Sequence, residues 1–480
     1  MIFISAQPDT TYFTWQLVLQ LRNFHTLGIL KENIHILVAY NKEMGLNPIF
    51  EKFIEENSLY GTFFLYEDQR ERPTYISSIR PNILKQHFKK YPELSDSTLM
   101  YHDSDILFSR IPNMAGVEEN EICYVSDTRN YLDVNYIRRA SSEALLDDML
   151  QIVGLDKAKL LQEDKQTGGA QYVLKGITPG FWEKVERNSE DLFRIMSDYN
   201  SRLWEREYPT KKVYRSKTNG IQAWCADMWA LLWNLWLIDT KVEIHPEMAF
   251  SWPDSPIADW HGLAIQHYSG KIDDKTNYFR KIEYINYMPW YDESLNSIPN
   301  TNCSYEIVQI IKQEKAELDQ KRVFHPDAEI ILYVNAKENQ NDRIIQIYKK
   351  YIQKYLDINV TVNSQIWDEK LAIQKSEKNG NAYLIIPADH LLSITDIKRI
   401  LNVSARLSVS ISTLYQSDLL FTEAFSKMLE IELLTNNRGK FIPSEYSKPI
   451  YWTGTALGLR EKPIDPSLKL FTVTEAFSLS

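Results

Sequence analysis

The stretch LMYHDSDILF, residues Leu99–Phe108, sets two acids, Asp103 and Asp105, one residue apart between an apolar run and more apolar residues. An apolar run of this length bounded by polar residues reads as a buried strand. Carboxylates at i and i+2 share a strand face but stand apart along it, so they converge on one small ligand only where the strand ends and the chain turns. There they offer hard oxygen ligands to a divalent cation such as Mn²⁺ or Mg²⁺, which also bridges readily to phosphate oxygens. A lone D-x-D is weak evidence in a long chain. Its placement is what gives it weight.

That placement follows from the flanking sequence. MIFISA reads as a strand closed by a Gln-Pro-Asp turn, TYFTWQLVLQLRNFHTLG as a helix stopped at Gly28, NIHILVAYN as a strand, NPIFEKFIEENSL as a helix and GTFFLYE as a strand. The helix SSIRPNILKQHFKKYP then leads into the acid-bearing strand. Such β-α alternation predicts a mixed, mostly parallel sheet with helices on both faces, whose ligands bind outside the carboxyl ends of the strands. Further on, EICYVSD, GGAQYVLKG and GLAIQHYSG read as strands. In WCADMWALLWNLWLI, Trp229, Trp233 and Trp236 fall on one helical arc with Asp227 roughly opposite, which predicts a core-facing arc and a solvated acid.

The stretch AIQHYSGK supplies a second element. His267 ends a late strand, where a neutral imidazole suits a third metal position; Gly270 permits close backbone approach and Lys271 offers charge to a phosphate. At a strand end, the acids are expected to be dispensable for folding.

Composition narrows the partners. The 480 residues exceed what one hydrophobic core sustains. The SYEIVQIIKQEKAELDQK stretch has a spacer's composition, after which the β-α pattern restarts. We therefore expect a first domain at 1–302, a helical linker at 303–321 and a smaller α/β domain at 322–480. A net charge of −10 argues against nucleic acid as partner. Cys123, Cys225 and Cys303 are widely spaced, with no C-x-x-C pair, and read as reduced core residues of a cytoplasmic protein. The start MIFISAQPDTTYF is apolar for only a few residues and lacks a basic n-region, so it does not read as a signal peptide, and WALLWNLWLI, Trp229–Ile238, is too short to span a bilayer.

YHDSDILF, TGGAQYVLKG and AIQHYSGK, in that order, resemble motifs of nucleotide-sugar glycosyltransferases of the GT-A, Rossmann-like fold. The likeness is to retaining families: the glycogenin and lipopolysaccharide galactosyltransferase group, and the hydroxyproline arabinosyltransferase and serine galactosyltransferase group. It covers roughly residues 1–300. The resemblance implies that Asp103, Asp105 and His267 hold the metal, and that Ser5, Ala6 and Gln7 border the nucleoside. It implies that Arg80 approaches the nucleotide, that Gly169 and Ala170 contact the donor sugar, and that Gln171 faces its anomeric carbon. Asp227 would grip sugar hydroxyls or act as base, and Lys271 or Lys275 would touch the diphosphate. The donor implied is a UDP-sugar and the acceptor a glycan or protein. Trp204, Trp252 and Trp260 suit either sugar stacking or core and lid packing. The C-terminal part resembles a degenerate inverting glycosyltransferase, with Pro387 where a metal acid would stand and Asp389 and His390 left over. Two other readings remain open: a carbohydrate-binding or assembly protein that keeps the fold, and a metal-dependent hydrolase or phosphotransferase.

Overall fold

The computed structural model describes residues 1–211, 219–270, 272–274, 276–285, 288–290 and 292–320. Beyond residue 320 it describes the strands named below and short helical stretches at 349–350 and 352–353. The chain divides into two compact units: residues 1–285 with 297–310, and residues 286–296 with 311–480.

The first unit is built on seven strands. They are β1 (Ile2–Pro8), β2 (Ile34–Tyr40), β3 (Thr62–Glu67), β4 (Leu99–Tyr101), β6 (Cys123–Asp127), β7 (Gly168–Leu174) and β8 (Val242–Ile244), with β5 (Ile106–Phe108) diverted elsewhere. Their spatial order is β3-β2-β1-β4-β7-β6-β8, and β7 alone runs against its neighbours. This is the α/β mixed sheet expected from the sequence.

Both sheet faces are covered, which explains why β2 reads as an apolar run broken only by His35. Helices α1 (Thr11–Thr26) and α2 (Pro48–Asn57) connect β1 through β3, and α3 (Ile79–Lys90) leads into β4. Alternate residues of β2 part ways. Leu37 and Ala39 join the core that includes Ile83 and Leu84 of α3, whereas a side chain on Gly61 would meet Leu21 of α1 together with Ile34 and Ile36. The same alternation in β1 sends Ile4 and Ala6 to the α3 side, while Phe3 meets Phe24 of α1 at 5.6 Å.

Between β6 and β7 lie α4 (Arg129–Leu132), α5 (Val134–Ala140), α6 (Glu143–Val153) and α7 (Lys157–Glu163); α8 (Pro179–Lys211) and α9 (Ala226–Leu237) follow β7. Trp229, Trp233 and Trp236 of α9 are fully buried in the α3-side core, as their arc predicts. Among the described residues no helix is long and apolar enough to cross a membrane.

A small second sheet, which periodicity does not reveal, positions the site. β10 (Ile265–His267) pairs antiparallel with β5 and parallel with β9 (Phe250–Ser251), and α10 (Ile257–Gly262) separates β9 from β10. Residues 102–105 thus bridge two sheets, leaving β4 of one and entering β5 of the other.

Helix α11 (Ser304–Gln320) follows. The second unit holds a six-stranded sheet and a three-stranded one. In the former, Glu329–Val334 pairs parallel with both Thr361–Ile366 and Tyr383–Pro387. Pro387 ends one strand and His390 opens the next, while Asp389 lies outside the described residues.

Candidate functional site

The acid pair sits where the strand order reverses, at the carboxyl end of β4 beside β1, the position at which open α/β sheets take ligands. Helix α1 fixes the turn. Gln20 Nε2 donates to the Asp103 carbonyl at 2.9 Å, and Ser104 Oγ donates to Gln16 Oε1 at 3.0 Å. On the far side the β10–β5 pairing sets His267 opposite Ile106, and the Tyr268 amide donates to the Asp105 carbonyl at 3.0 Å.

This brings three ligand-type side chains together. Carboxylate oxygens of Asp103 and Asp105 and an imidazole nitrogen of His267 lie within 4.8 Å of one another. His267 Nε2 is 3.5 Å from Asp103 Oδ2 and 3.4 Å from Asp105 Oδ1. His267 is 5 % exposed, yet neither ring nitrogen makes a hydrogen bond among the described residues. A buried imidazole without partners is costly unless something else takes its lone pair. Its ring is held by Trp252, stacked at 5.6 Å and 24°, and by the edge of Phe250 at 5.3 Å. Gly270, at φ +97°, turns the chain past that Trp252 ring, where an added side chain would sit 3.4 Å from it and be strained besides. Two carboxylates and an orphaned imidazole fit a hard divalent cation.

Two cations already face these acids. Arg80, in the first turn of α3, reaches Asp103 Oδ1 at 2.6 Å and stands 3.7 Å from Asp227 Oδ2. Lys281 forms an ion pair with Asp105 Oδ2. Asp105 is 3 % exposed. Burial alone would push its carboxyl up, but Lys281 and His267 outweigh that and hold it well below the usual carboxylate range. Both acids are therefore engaged in ion pairs, Asp103 with Arg80 and Asp105 with Lys281, a role that their place at a strand end does not reveal.

Asp227 is not solvated either. It receives a hydrogen bond from Tyr75 Oη at 2.7 Å, and Tyr75 Oη also lies 2.5 Å from the Trp224 carbonyl. Burial raises its carboxyl despite Arg80 and Tyr75. The loop carrying Tyr75 is fixed by Glu190 of α8, which accepts from the amides of Thr74 and Tyr75 and from Ser78 Oγ. Arg80 thus joins Asp227 to the acid pair. Trp224 is 60 % exposed beside this cluster.

The remaining predicted residues lie in the strands. Ser5 and Gln7 are buried on the α1-facing side of β1, with Gln7 Nε2 donating to the Leu37 carbonyl at 2.7 Å; Ala6 packs on the other side. Gln171 is fully buried in β7 and accepts from Ser126 Oγ at 2.9 Å, leaving its Nε2 without a partner among the described residues. Gly168 and Gly169 pair with Asp127 and Ser126 of β6 just before β7 bulges, with Ala170 and Gln171 left as extra residues between the partners of Ser126 and Val125. A side chain at 168 would sit 2.4 Å from the Ser126 carbonyl, and one at 169 would sit 2.7 Å from Tyr172 Oη and Met228 Cε. Ala170 adopts φ +66°, strained for a residue with a Cβ, and strain of this kind gathers at ligand sites. Lys271 and Lys275 lie outside the described residues. Trp252 packs on His267, Trp204 Nε1 donates to the Asn219 carbonyl at 2.7 Å, and Trp260 is half-buried in α10.

Sequence reasoning missed Tyr75 and Lys281. The available signal for Lys281 was the aromatic pattern of NYFRKIEY: Phe279 and Tyr284 stack at 5.5 Å and both pack against Trp15 of α1. That anchor returns a loop to the site.

No family model matches the chain, and no curated protein matches it. Among solved structures, the chain is similar to the bifunctional glycosyltransferase WbbM, with a TM-score of 0.34 and 10 % identity over 65 % of this chain and 51 % of that one. The chain therefore spans about half the length of that structure. It is also similar to the galactosyltransferase LgtC in complex with donor and acceptor sugar analogues, with a TM-score of 0.31 and 13 % identity over 65 % of this chain and 96 % of that one. An active-site mutant of LgtC gives a TM-score of 0.31 at 12 % identity over the same shares.

Proposed function

We propose that the protein is a glycosyltransferase that moves a sugar from a nucleoside-diphosphate sugar, a UDP-sugar, to a glycan or protein acceptor, supported by Mn²⁺ or Mg²⁺. The observation that carries this reading is the buried His267 imidazole, unpartnered and facing the carboxylates of both Asp103 and Asp105. Those three residues would hold the cation, which when bound neutralises charge on the leaving diphosphate and orients it.

The chain's own groups supply the rest. Arg80 keeps Asp103 and Asp227 in fixed relation, so the metal acids and the acid assigned to sugar hydroxyls move as one body. A largely buried carboxylate such as Asp227, whose charge is disfavoured by burial, would favour a sugar hydroxyl over water when the site closes. Gln171 keeps one amide N–H pair free for the sugar near its anomeric carbon. Gly169 and Ala170 give the sugar a wall without long side chains, and Ser5, Ala6 and Gln7 form the strand end bordering the nucleoside. Lys271 is assigned to the diphosphate on the sequence resemblance alone. Retention of anomeric configuration follows the resembling families. Residues 1–302 would form the catalytic domain, 303–321 a linker and 322–480 an accessory domain of a cytoplasmic enzyme.

The test is a panel of nucleotide sugars with Mn²⁺ and with EDTA, read by thermal shift and by release of nucleoside diphosphate. Stabilisation and turnover with a UDP-sugar, abolished by EDTA, are expected. Full turnover in EDTA removes the metal from the reading, and binding without turnover for any acceptor leaves a carbohydrate-binding protein. An NMR time course that shows inverted product removes retention.

A further inference from the structure

We infer that the Lys281 ammonium and a divalent cation are alternative occupants of Asp105, so that Lys281 is a tethered cation which the metal displaces and which then faces the anionic ligand. This rests on the metal reading above and goes beyond it. Three observations carry it.

The first is contact. Lys281 Nζ is paired with one oxygen of the Asp105 carboxylate, while the other oxygen faces the bare His267 Nε2 at 3.4 Å. A metal held by Asp105 and His267 would share that single carboxylate with an ammonium, inside a buried site where repulsion between the cations is poorly screened. The second is charge. Asp103, Asp105 and Asp227 face Arg80 and Lys281, a cluster one negative charge from neutral. A dication added with Lys281 in place overshoots to a net positive site, and with Lys281 withdrawn the cluster is neutral.

The third is a fixed root beneath a long side chain. The turn that carries Lys281 is fastened on both sides. Phe279 and Tyr284 pack on Trp15, whose Nε1 donates to the Tyr284 carbonyl at 2.9 Å, and Phe279 also meets Tyr268. The four-carbon stem can therefore swing while the backbone stays, and the Tyr12 hydroxyl, which also faces the ammonium, offers it a second resting place. Displaced from Asp105, the ammonium remains at the mouth of the site, tethered where a phosphate beside the metal would meet it.

Two measurements on the full chain test this with Mn²⁺ alone. Lys281→Met should tighten Mn²⁺ binding, measured calorimetrically and by the loss of free-Mn²⁺ EPR signal. If Lys281 closes the site in about nine molecules of ten, the gain is about tenfold. In the wild-type chain, acylation of Lys281 by an amine reagent, followed by mass spectrometry, should rise with Mn²⁺ at the binding midpoint. Lys85, paired with Glu186 at 2.8 Å, serves as a control that stays constant. Equal or weaker Mn²⁺ binding by Lys281→Met overturns the inference. So does labelling that is flat or falls with metal, which would mean that the lysine repels the ion through space without leaving Asp105. The labelling arm needs no variant and decides the matter if Lys281→Met fails to fold. Binding of Mn²⁺ to neither chain removes the metal reading together with this one, whereas wild-type binding with unmoved labelling removes this one alone.

Discussion

Replacing Arg80 with Met deletes the cation between Asp103 and Asp227 while keeping much of its stem's apolar packing. The Arg80–Asp103 contact is 2.6 Å, with side chains 24 % and 17 % exposed, so the pair stands between the surface and interior limits. Exposed pairs contribute about 0.2–1 kcal/mol, and breaking a buried one costs about 3–5 kcal/mol because a charge is left uncompensated. A loss of about 2 kcal/mol is expected, or about 4–8 °C in Tm at roughly 2–4 °C per kcal/mol for a domain of this size.

The loss should also depend on pH. The Asp227 carboxyl is raised above its ordinary value by burial, with Arg80 and Tyr75 opposing. A carboxyl raised in the folded state costs stability above its unfolded pKa, and that cost fades as pH falls and both states take up the proton. Deleting Arg80 raises it further. The Tm gap between Arg80→Met and wild type should therefore be widest near neutral pH and narrow towards about pH 5. Differential scanning fluorimetry across that range measures it. A variant with wild-type Tm, or a gap constant with pH, would show that Arg80 is not what holds the two acids together.

Three further outcomes are expected. Gly168→Ala should cost about 1–3 kcal/mol by overpacking, since its Cβ meets the Ser126 carbonyl, whereas Gly262→Ala, with nothing within 4 Å, should leave Tm unchanged; equal effects would refute the close β6–β7 approach. His87, buried against His35 and Tyr66, has its pKa lowered to about 3, chiefly by burial and then by His35 and Lys90. Its folded form thus resists protonation that the unfolded chain accepts from about pH 6.5 downward, so stability should fall by up to about 1.4 kcal/mol per pH unit below 6.5. His87→Phe should flatten that slope in acid-melting curves, and an unchanged slope would acquit the histidine. His267→Ala should lower metal-supported transfer about a hundredfold or more while leaving Tm in EDTA within a few degrees; undiminished transfer would end its assignment to the metal.

The sheet's first half is legible in the sequence because strands buried on both faces read as apolar runs and their helices keep a 3.6-residue period. The acids' place after β4 follows from that alternation. What stays hidden depends on contacts between distant segments. β5, β9 and β10 are too short for any period, so the second sheet that sets His267 beside Asp105 is invisible until pairing is seen. Asp227 reads as solvated because it lies opposite the Trp arc, yet that outer face meets Tyr75, placed there by Glu190 from another helix. That Ser5 and Gln7 end a strand is legible, but the face they share is not: the two-residue period of β1 turns both towards α1, where Gln7 Nε2 bonds the Leu37 carbonyl.

The Trp15–Tyr284 hydrogen bond spans 269 positions, and its length along the chain dictates an order of assembly. Synthesis delivers every strand of the seven-stranded sheet by Ile244, before His267, Lys281 or Tyr284 exists. During that interval α1 carries an indole, later fully buried, without the Tyr268, Phe279 and Tyr284 rings that come to pack on it. Non-local closure of this kind is slow, and exposed apolar surface in the interval invites aggregation. A chain cut between Ile244 and Lys281 can hold the sheet and both acids and still lack the cation at Asp105 and the Phe279 and Tyr284 rings over Trp15, so the site is completed only after the sheet.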